Sequence, residues 1–200
     1  MQSIKYYDLT PDQKEQFFDF LKDCSKELDQ PAYENMWDDE WHDKKNTLPY
    51  ILEKTDRFKN NGFYQILFDG DTIVACSGAY RSHFCDDVAI LGNRTWIHKD
   101  HRNRLLVRDY LLPAEKAWAI QEGYKAVALT FNDYNKNLAA LWKRKRLGDK
   151  RTPIQPYNFG YKYHIVDFPV NVQYTKQWLI YDILDESFKY DWEQIRWVDS

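Results

Sequence analysis

The sequence predicts an α+β domain built on a mixed β-sheet, and three observations carry this. Asp69-Gly70-Asp71 sits between two β-rich runs, Phe63 to Phe68 and Thr72 to Tyr80, which is a strong hairpin signal. Tyr124 to Phe131 (YKAVALTF) is almost wholly apolar, as in a strand buried on both faces. A helical pattern over 104–122 separates that run from another strand, Val88 to Ile97. Such a strand–helix–strand unit implies one parallel crossover in an otherwise antiparallel sheet.

The remaining elements follow in chain order. Ile4 to Leu9 reads as a short first strand. In Thr10-Pro11-Asp12-Gln13, Thr10 can cap a helix, Pro11 suits its first position and Gln13 completes a capping box. Phe17, Phe20, Leu21, Cys24 and Leu28 then share a helical face, and Gln30-Pro31 stops the helix. Residues 32–43 are rich in acid and tryptophan, with Trp37 and Trp41 one helical turn apart. Thr47-Leu48-Pro49 opens a further helix, with Ile51, Leu52, Thr55 and Phe58 on one side and Asn60-Asn61-Gly62 at its end.

In the helix over 104–122, Val107, Leu111, Ala114 and Trp118 share a face. Gly123 is a natural stop, and Pro113 is expected to kink it. Asn132 to Asn135 can cap a short helix bearing Leu138, Leu141 and Trp142. Tyr161 to Val166 and Gln177 to Ile183 read as a closing pair of strands. The expected organisation is one domain over 1–184. An aromatic and acidic tail over 185–200 would pack, as a last helix, on that domain or on a partner.

With 44% hydrophobic and 17% aromatic residues in 200, the chain can bury a sizeable core. A formal charge of −3 argues against general nucleic-acid binding. Cys24, Cys76 and Cys85 are odd in number and lack C-x-x-C spacing, against both a disulfide framework and zinc. Asp38, His42 and Asp43 have no specific metal spacing, so no metal is expected. No signal peptide is evident, and no apolar run approaches the roughly 20 residues that span a bilayer. A soluble, cytoplasmic protein is the plain expectation, without a membrane partner.

The segment Trp96-Ile97-His98-Lys99-Asp100-His101-Arg102-Asn103-Arg104-Leu105-Leu106-Val107-Arg108 carries the most chemistry. It leads from strand to helix through a turn crowded with positive charge. The first helical N–H groups have no intrahelical partner and lie at the positive end of the helix dipole, where they can hold a phosphate. Basic side chains there oppose the dipole, so anion binding explains Arg102, Arg104 and Arg108 better than a solvated first turn.

The element order and this turn resemble the GNAT superfamily of acyl-CoA-dependent N-acyltransferases. That family carries Arg/Gln-x-x-Gly-x-Gly/Ala after its fourth strand, and its backbone amides hold the acyl-CoA pyrophosphate. Here the matching segment is Arg102-Asn103-Arg104-Leu105-Leu106-Val107, with Arg102 kept and both glycine positions occupied by bulky residues, Leu105 and Val107. A second match is Phe131 to Lys143 (FNDYNKNLAALWK). Asn135 takes the family's asparagine position, Leu138 stands for its alanine, and Trp142 stands for the tyrosine that often protonates the leaving thiolate.

The resemblance implies a GNAT-like acyl-CoA N-acyltransferase fold, with acetyl-CoA or another acyl-CoA as co-substrate. It implies that the amides of Asn103, Arg104, Leu105, Leu106 and Val107 hold the pyrophosphate, backed by Arg102, Arg104 and Arg108. Trp96 and Ile97 would pair with the pantetheine arm, and Asn132 or Asn135 would position the thioester. The reaction implied is acetyl transfer to an amine.

The residues leave its catalytic groups unassigned. Tryptophan cannot transfer a proton at a useful pKa, and Val88 to Ile97 holds no carboxylate to serve as base. His98 and His101 flank the turn, and histidine is a residue type suited to act as a base, but both read more simply as surface residues. The alternative function is a non-catalytic protein on the GNAT scaffold, serving as a binding or structural component of an assembly. A protein partner or homo-oligomer is compatible with either reading. The stretch 34–43 fits an amine pocket or, preferably, an amphipathic helix with its acids in water. Lys143 to Arg146 fits a phosphate or RNA contact or, preferably, a solvated helix C-terminus.

Overall fold

The computed structural model describes residues 1–26, 47–102, 104–132, 164–172 and 175–192. The acidic, tryptophan-rich stretch 34–43, Asn103, Asn135, Leu138, Trp142 and Lys143–Arg146 lie outside the described residues. The chain runs β1 (Gln2–Lys5), α1 (Pro11–Lys26), α2 (Leu48–Lys54), β2 (Gly62–Asp69), β3 (Thr72–Arg81), β4 (Val88–Ile97), α3 (Leu112–Gln121), β5 (Ala126–Asn132), β6 (His164–Val172) and β7 (Thr175–Ile183). The strands form one seven-stranded sheet in the order β1-β2-β3-β4-β5-β7-β6. β4 pairs with β5 in parallel, as the strand–helix–strand unit requires, while β1–β2, β2–β3, β5–β7 and β6–β7 are antiparallel.

Local chemistry explains most boundaries. At the start of α1, Gln13 N–H donates to Thr10 Oγ1 at 3.3 Å and Thr10 N–H donates to Gln13 Oε1 at 3.0 Å, a reciprocal capping box. Thr47 caps α2 by accepting from the Tyr50 N–H. The β2–β3 turn uses Gly70 and Asp71 as its two loop residues, since Asp69 pairs with Thr72. Gly70 takes the first loop position at φ +61°, where glycine has no steric cost.

Several boundaries differ from the sequence reading. The first strand ends at Lys5, and Tyr6–Asp8 form a 3-10 turn that carries the Tyr6 ring into the core against Phe17. There its hydroxyl donates to Glu53. α2 stops at Lys54 because Thr55 turns extended and its hydroxyl donates to the Ile51 carbonyl. Phe58 is nevertheless fully buried beyond the helix. The tail after β7 is not helical over 185–191. Asp185 accepts from the backbone N–H and hydroxyl of Ser187 to form a turn. Beyond it Trp192 stacks on Tyr181 at 3.7 Å, and Tyr190 packs on Phe84.

The helix over 104–122 departs most. A π-turn over Val107–Leu111 precedes α3, and Pro113 is the second residue of α3. A π-turn inserts one residue into the helical register. The buried stripe therefore passes from Leu111 to Leu112, Glu115 and Ala119 rather than to Ala114 and Trp118. Pro113, lacking an N–H, sits where the bond ladder is already interrupted.

The chain divides into two compact units, Met1–Tyr80 with Gly92–Leu111, and Arg81–Leu91 with Leu112–Ser200. In the first, Leu67, Val74, Ala75, Leu106 and Leu111 form a buried cluster with Ile97 and Val107 against it. Buried Gln65 donates to the Leu111 carbonyl at 2.9 Å and accepts from the Ser3 hydroxyl, so a polar side chain in mid-sheet is satisfied at both ends. In the second, the nearly buried Asp182 pairs with Lys116 of α3 at 3.1 Å. Among the described residues no helix is long and apolar enough to cross a membrane.

A Cβ on Gly62 would lie 2.0 Å from the Ala79 carbonyl oxygen and 2.7 Å from Tyr80 Cα, both backbone atoms that cannot yield. Gly62→Ala should therefore destabilise the protein by about 1–3 kcal/mol, read as a lowered urea midpoint at unchanged slope.

Candidate active site

The site predicted from sequence begins in β4, which is irregular at its centre. Gly92 has φ +67° and Arg94 φ +55°. Positive φ breaks a strand's pleat, and the parallel register with β5 covers only Val88–Leu91 against Ala126–Leu129. Gly92–Ile97 lie beyond it.

Side chains satisfy the carbonyls that the bulge turns aside. The Tyr64 hydroxyl, on β2, donates to the Arg94 carbonyl at 2.6 Å and lies 3.2 Å from Cys76 Sγ. Thr95 Oγ1 donates to the Gly92 carbonyl at 2.8 Å and is 2.6 Å from Ser77 Oγ on β3. Burial pushes the Cys76 thiol up to about 12, so it is a core group rather than a nucleophile. The side-chain oxygen of Asn93 is enclosed and has no hydrogen-bond partner among the described residues.

β4 then enters the basic turn. The His98 N–H donates to the Val74 carbonyl, and Lys99–His101 form a 3-10 turn. Trp96 is buried and Ile97 half-buried. Arg102 is exposed, and its Nε donates to the Ile97 carbonyl at 3.3 Å. Arg104, also exposed, meets Asp69 at 3.3 Å. Arg108 forks onto Asp109, which draws that carboxyl below its ordinary range. Leu106 is buried in the β2–β3 cluster, so only its backbone can face a ligand. Val107 opens the π-turn.

Leu105 is half-buried and has φ +56°. This is the left-handed region, costly for a side chain with a Cβ and free for glycine. The backbone here takes the conformation a glycine would favour, although the residue is leucine.

Of the remaining sequence-predicted residues, Asn132 ends β5 opposite Gln177 of β7, in the second unit. Among the described residues no group of metal-ligating side chains is large enough to hold a metal ion. Sequence reasoning missed the bulge and its supports, Tyr64, Ser77, Thr95 and Arg94. The available signal was Gly92, an isolated glycine inside a strand pattern.

Comparison of the fold with solved structures decides its class. An acetyltransferase of the GNAT family from Staphylococcus aureus Mu50 aligns over 92% of this chain and 99% of its own, at 16% identity and a TM-score of 0.54. The chain has the GNAT fold. An acetyltransferase from Streptococcus agalactiae 2603 aligns over 92% and 98%, at 14% identity and a TM-score of 0.56. A CoA-dependent acyl-homoserine lactone synthase, solved with SAM and isopentyl-CoA, aligns over 92% of this chain and 82% of its own, at 14% identity and a TM-score of 0.53. No protein-family model matches the sequence, and no curated protein matches it.

Two outcomes test this geometry. Tyr64→Phe removes the hydroxyl that donates to the half-buried Arg94 carbonyl and should cost about 1–3 kcal/mol in chemical denaturation. At position 105, Gly should be more stable than Ala by about 1 kcal/mol, the reverse of the usual order, as measured by thermal unfolding of both variants.

Proposed function

We propose that the protein is an acyl-CoA-dependent N-acyltransferase, transferring most simply an acetyl group to an amine. The observation that carries this reading is Leu105 at φ +56°. It lies in the turn between β4 and the following helix, where the resembling family places a glycine of its pyrophosphate loop. A bulky residue held in a glycine-like conformation retains the loop's backbone path. Strain of this kind persists only where the surroundings over-determine it, and Leu106 and Ile97, packed in the core on either side, supply that constraint.

The roles follow from the chain's own groups. The backbone amides of the turn, Asn103 to Val107, bind the pyrophosphate of the acyl-CoA co-substrate. Arg102, Arg104 and Arg108 add charge. Arg104 and Arg108 are held meanwhile by the exposed carboxylates Asp69 and Asp109, and exposed pairs of this kind exchange readily for a stronger anion. The β4 backbone at Trp96 and Ile97 lines the pantetheine arm. In the reaction the acceptor nitrogen bonds to the thioester carbonyl carbon, the C–S bond breaks, and the proton lost by nitrogen goes to solvent while the thiol takes one up. No carboxylate stands on β4, so the rate rests on proximity and orientation.

A non-catalytic GNAT scaffold is the competing reading, favoured by the leucine side chain itself. Acetyl-CoA binding by calorimetry separates the two. The enzyme reading expects saturable binding, weakened about tenfold or more in Arg102→Ala/Arg104→Ala and reduced by added salt. No heat with millimolar acetyl-CoA would sink it.

A further inference from the structure

Two arginines of the basic turn are closed on carboxylates of the same unit. Arg104 Nη1 lies 3.3 Å from Asp69 Oδ2, although the two residues are 35 positions apart. Arg108 forks onto Asp109, with Nη2 donating to Oδ2 at 2.8 Å and Nε to the other oxygen. The fold builds the long-range pair. Asp69 ends β2 at the hairpin tip, where its backbone pairs with Thr72. The Asp71 carbonyl of the same tip accepts from Gln16 Nε2 of α1 at 2.6 Å, which braces it. On the other side Leu106, just after Arg104, is buried in one cluster with Leu67, just before Asp69. That apolar cluster docks the turn on the hairpin and so brings the two charges together. Asp109 is fixed as well, since its N–H donates to the Leu105 carbonyl at 2.9 Å.

Each carboxylate stands where a ligand oxygen would bind. A guanidinium N–H aimed at a carboxylate reaches a phosphate oxygen only after that pair opens. The turn and the hairpin tip carry Lys99, Arg102, Arg104 and Arg108 against Asp69, Asp71, Asp100 and Asp109, so the empty region is formally neutral while its histidines are neutral. All four paired side chains are partly or largely exposed. Opening an exposed pair is easy, and each weakens a competing anion by at most about fivefold. An anion that meets one arginine gains little over the carboxylate it displaces. A pyrophosphate, carrying charge for both arginines at once, gains more.

We propose that Asp69 and Asp109 are internal competitors for the phosphates that the turn binds. They occupy Arg104 and Arg108 in the empty protein and are displaced when a pyrophosphate enters. The proposal rests on the reading of the turn as an acyl-CoA pyrophosphate loop. It adds that the β2–β3 hairpin, through Asp69, sets how tightly the loop holds its ligand. A loop whose arginines are already paired holds every anion more weakly than a bare one. Single phosphates then fall short of occupying it, while a ligand that reaches both arginines still does.

The test is calorimetry on the full chain at fixed ionic strength, with acetyl-CoA and inorganic pyrophosphate as probes. Asp69→Asn should tighten the binding of both about two- to fivefold. Asp71→Asn removes the same charge from the same hairpin tip, and among the described residues its carboxylate stands in no ion pair. It reports the general effect of charge and should tighten binding less. With Arg104→Ala in the background, the gain from Asp69→Asn should fall to that from Asp71→Asn, because the competitor has lost its site. Asp109→Asn, with and without Arg108→Ala, repeats the cycle on the second pair and carries the test if thermal unfolding shows Asp69→Asn to be unfolded. Equal gains from Asp69→Asn and Asp71→Asn, a gain that survives Arg104→Ala, or no binding of either probe by any variant would each overturn the proposal. The expected pyrophosphate response without acetyl-CoA binding would keep it and remove the transferase reading. Acetyl-CoA binding that Asp69→Asn leaves unmoved would do the reverse.

Discussion

A strand cannot keep a regular ladder through residues of positive φ, and β4 carries two, Gly92 and Arg94. Much of the first unit is arranged around that break. The turned-aside carbonyls need donors, and Tyr64 and Thr95 provide them from β2 and β4. Tyr64 must then be buried with its hydroxyl aimed at the bulge, which sets the packing of Phe58 and excludes a side chain at Gly78. The same break ends the parallel register at Leu91 and sends the rest of β4 toward the basic turn.

The turn is held from its apolar side. Leu106 enters the cluster of Leu67, Val74, Ala75 and Leu111, with Ile97 and Val107 against it. Burial of a leucine side chain is worth about 1.5–3 kcal/mol, comparable to the cost of a left-handed Leu105. The anchor thus offsets the strain beside it. The π-turn that follows rotates the buried face by one residue, and Gln65 bonds the Leu111 carbonyl at that irregularity. On the polar side of the turn, Arg104 and Arg108 stand in exposed ion pairs, which salt screens.

Hydrogen bonds and periodicities within a few residues were legible in the chain. The capping box of Thr10 and Gln13 formed as its spacing implied, and the hairpin at Gly70 and the parallel β4–β5 pair were readable for the same reason. The basic turn was readable as a strand-to-helix junction. Its left-handed leucine was not, since leucine carries no conformational signal of its own. The register of α3 was misread because a π-turn changes which residues face inward while leaving their order unchanged. Over 185–191 the tail is not the helix expected, and Tyr190 and Trp192 stack on Phe84 and Tyr181, distant in sequence.

By itself the sequence determined the order of elements, the single parallel crossover and the basic character of the segment after β4. Each rests on contacts between near neighbours or on a simple alternation of apolar residues. Only the tertiary structure decided that β4 is bulged, that Leu105 stands in a glycine's conformation, and that the Tyr64 hydroxyl, distant in the chain, holds the Arg94 carbonyl. These depend on which distant side chains supply donors, bulk and charge, and no local pattern encodes that choice.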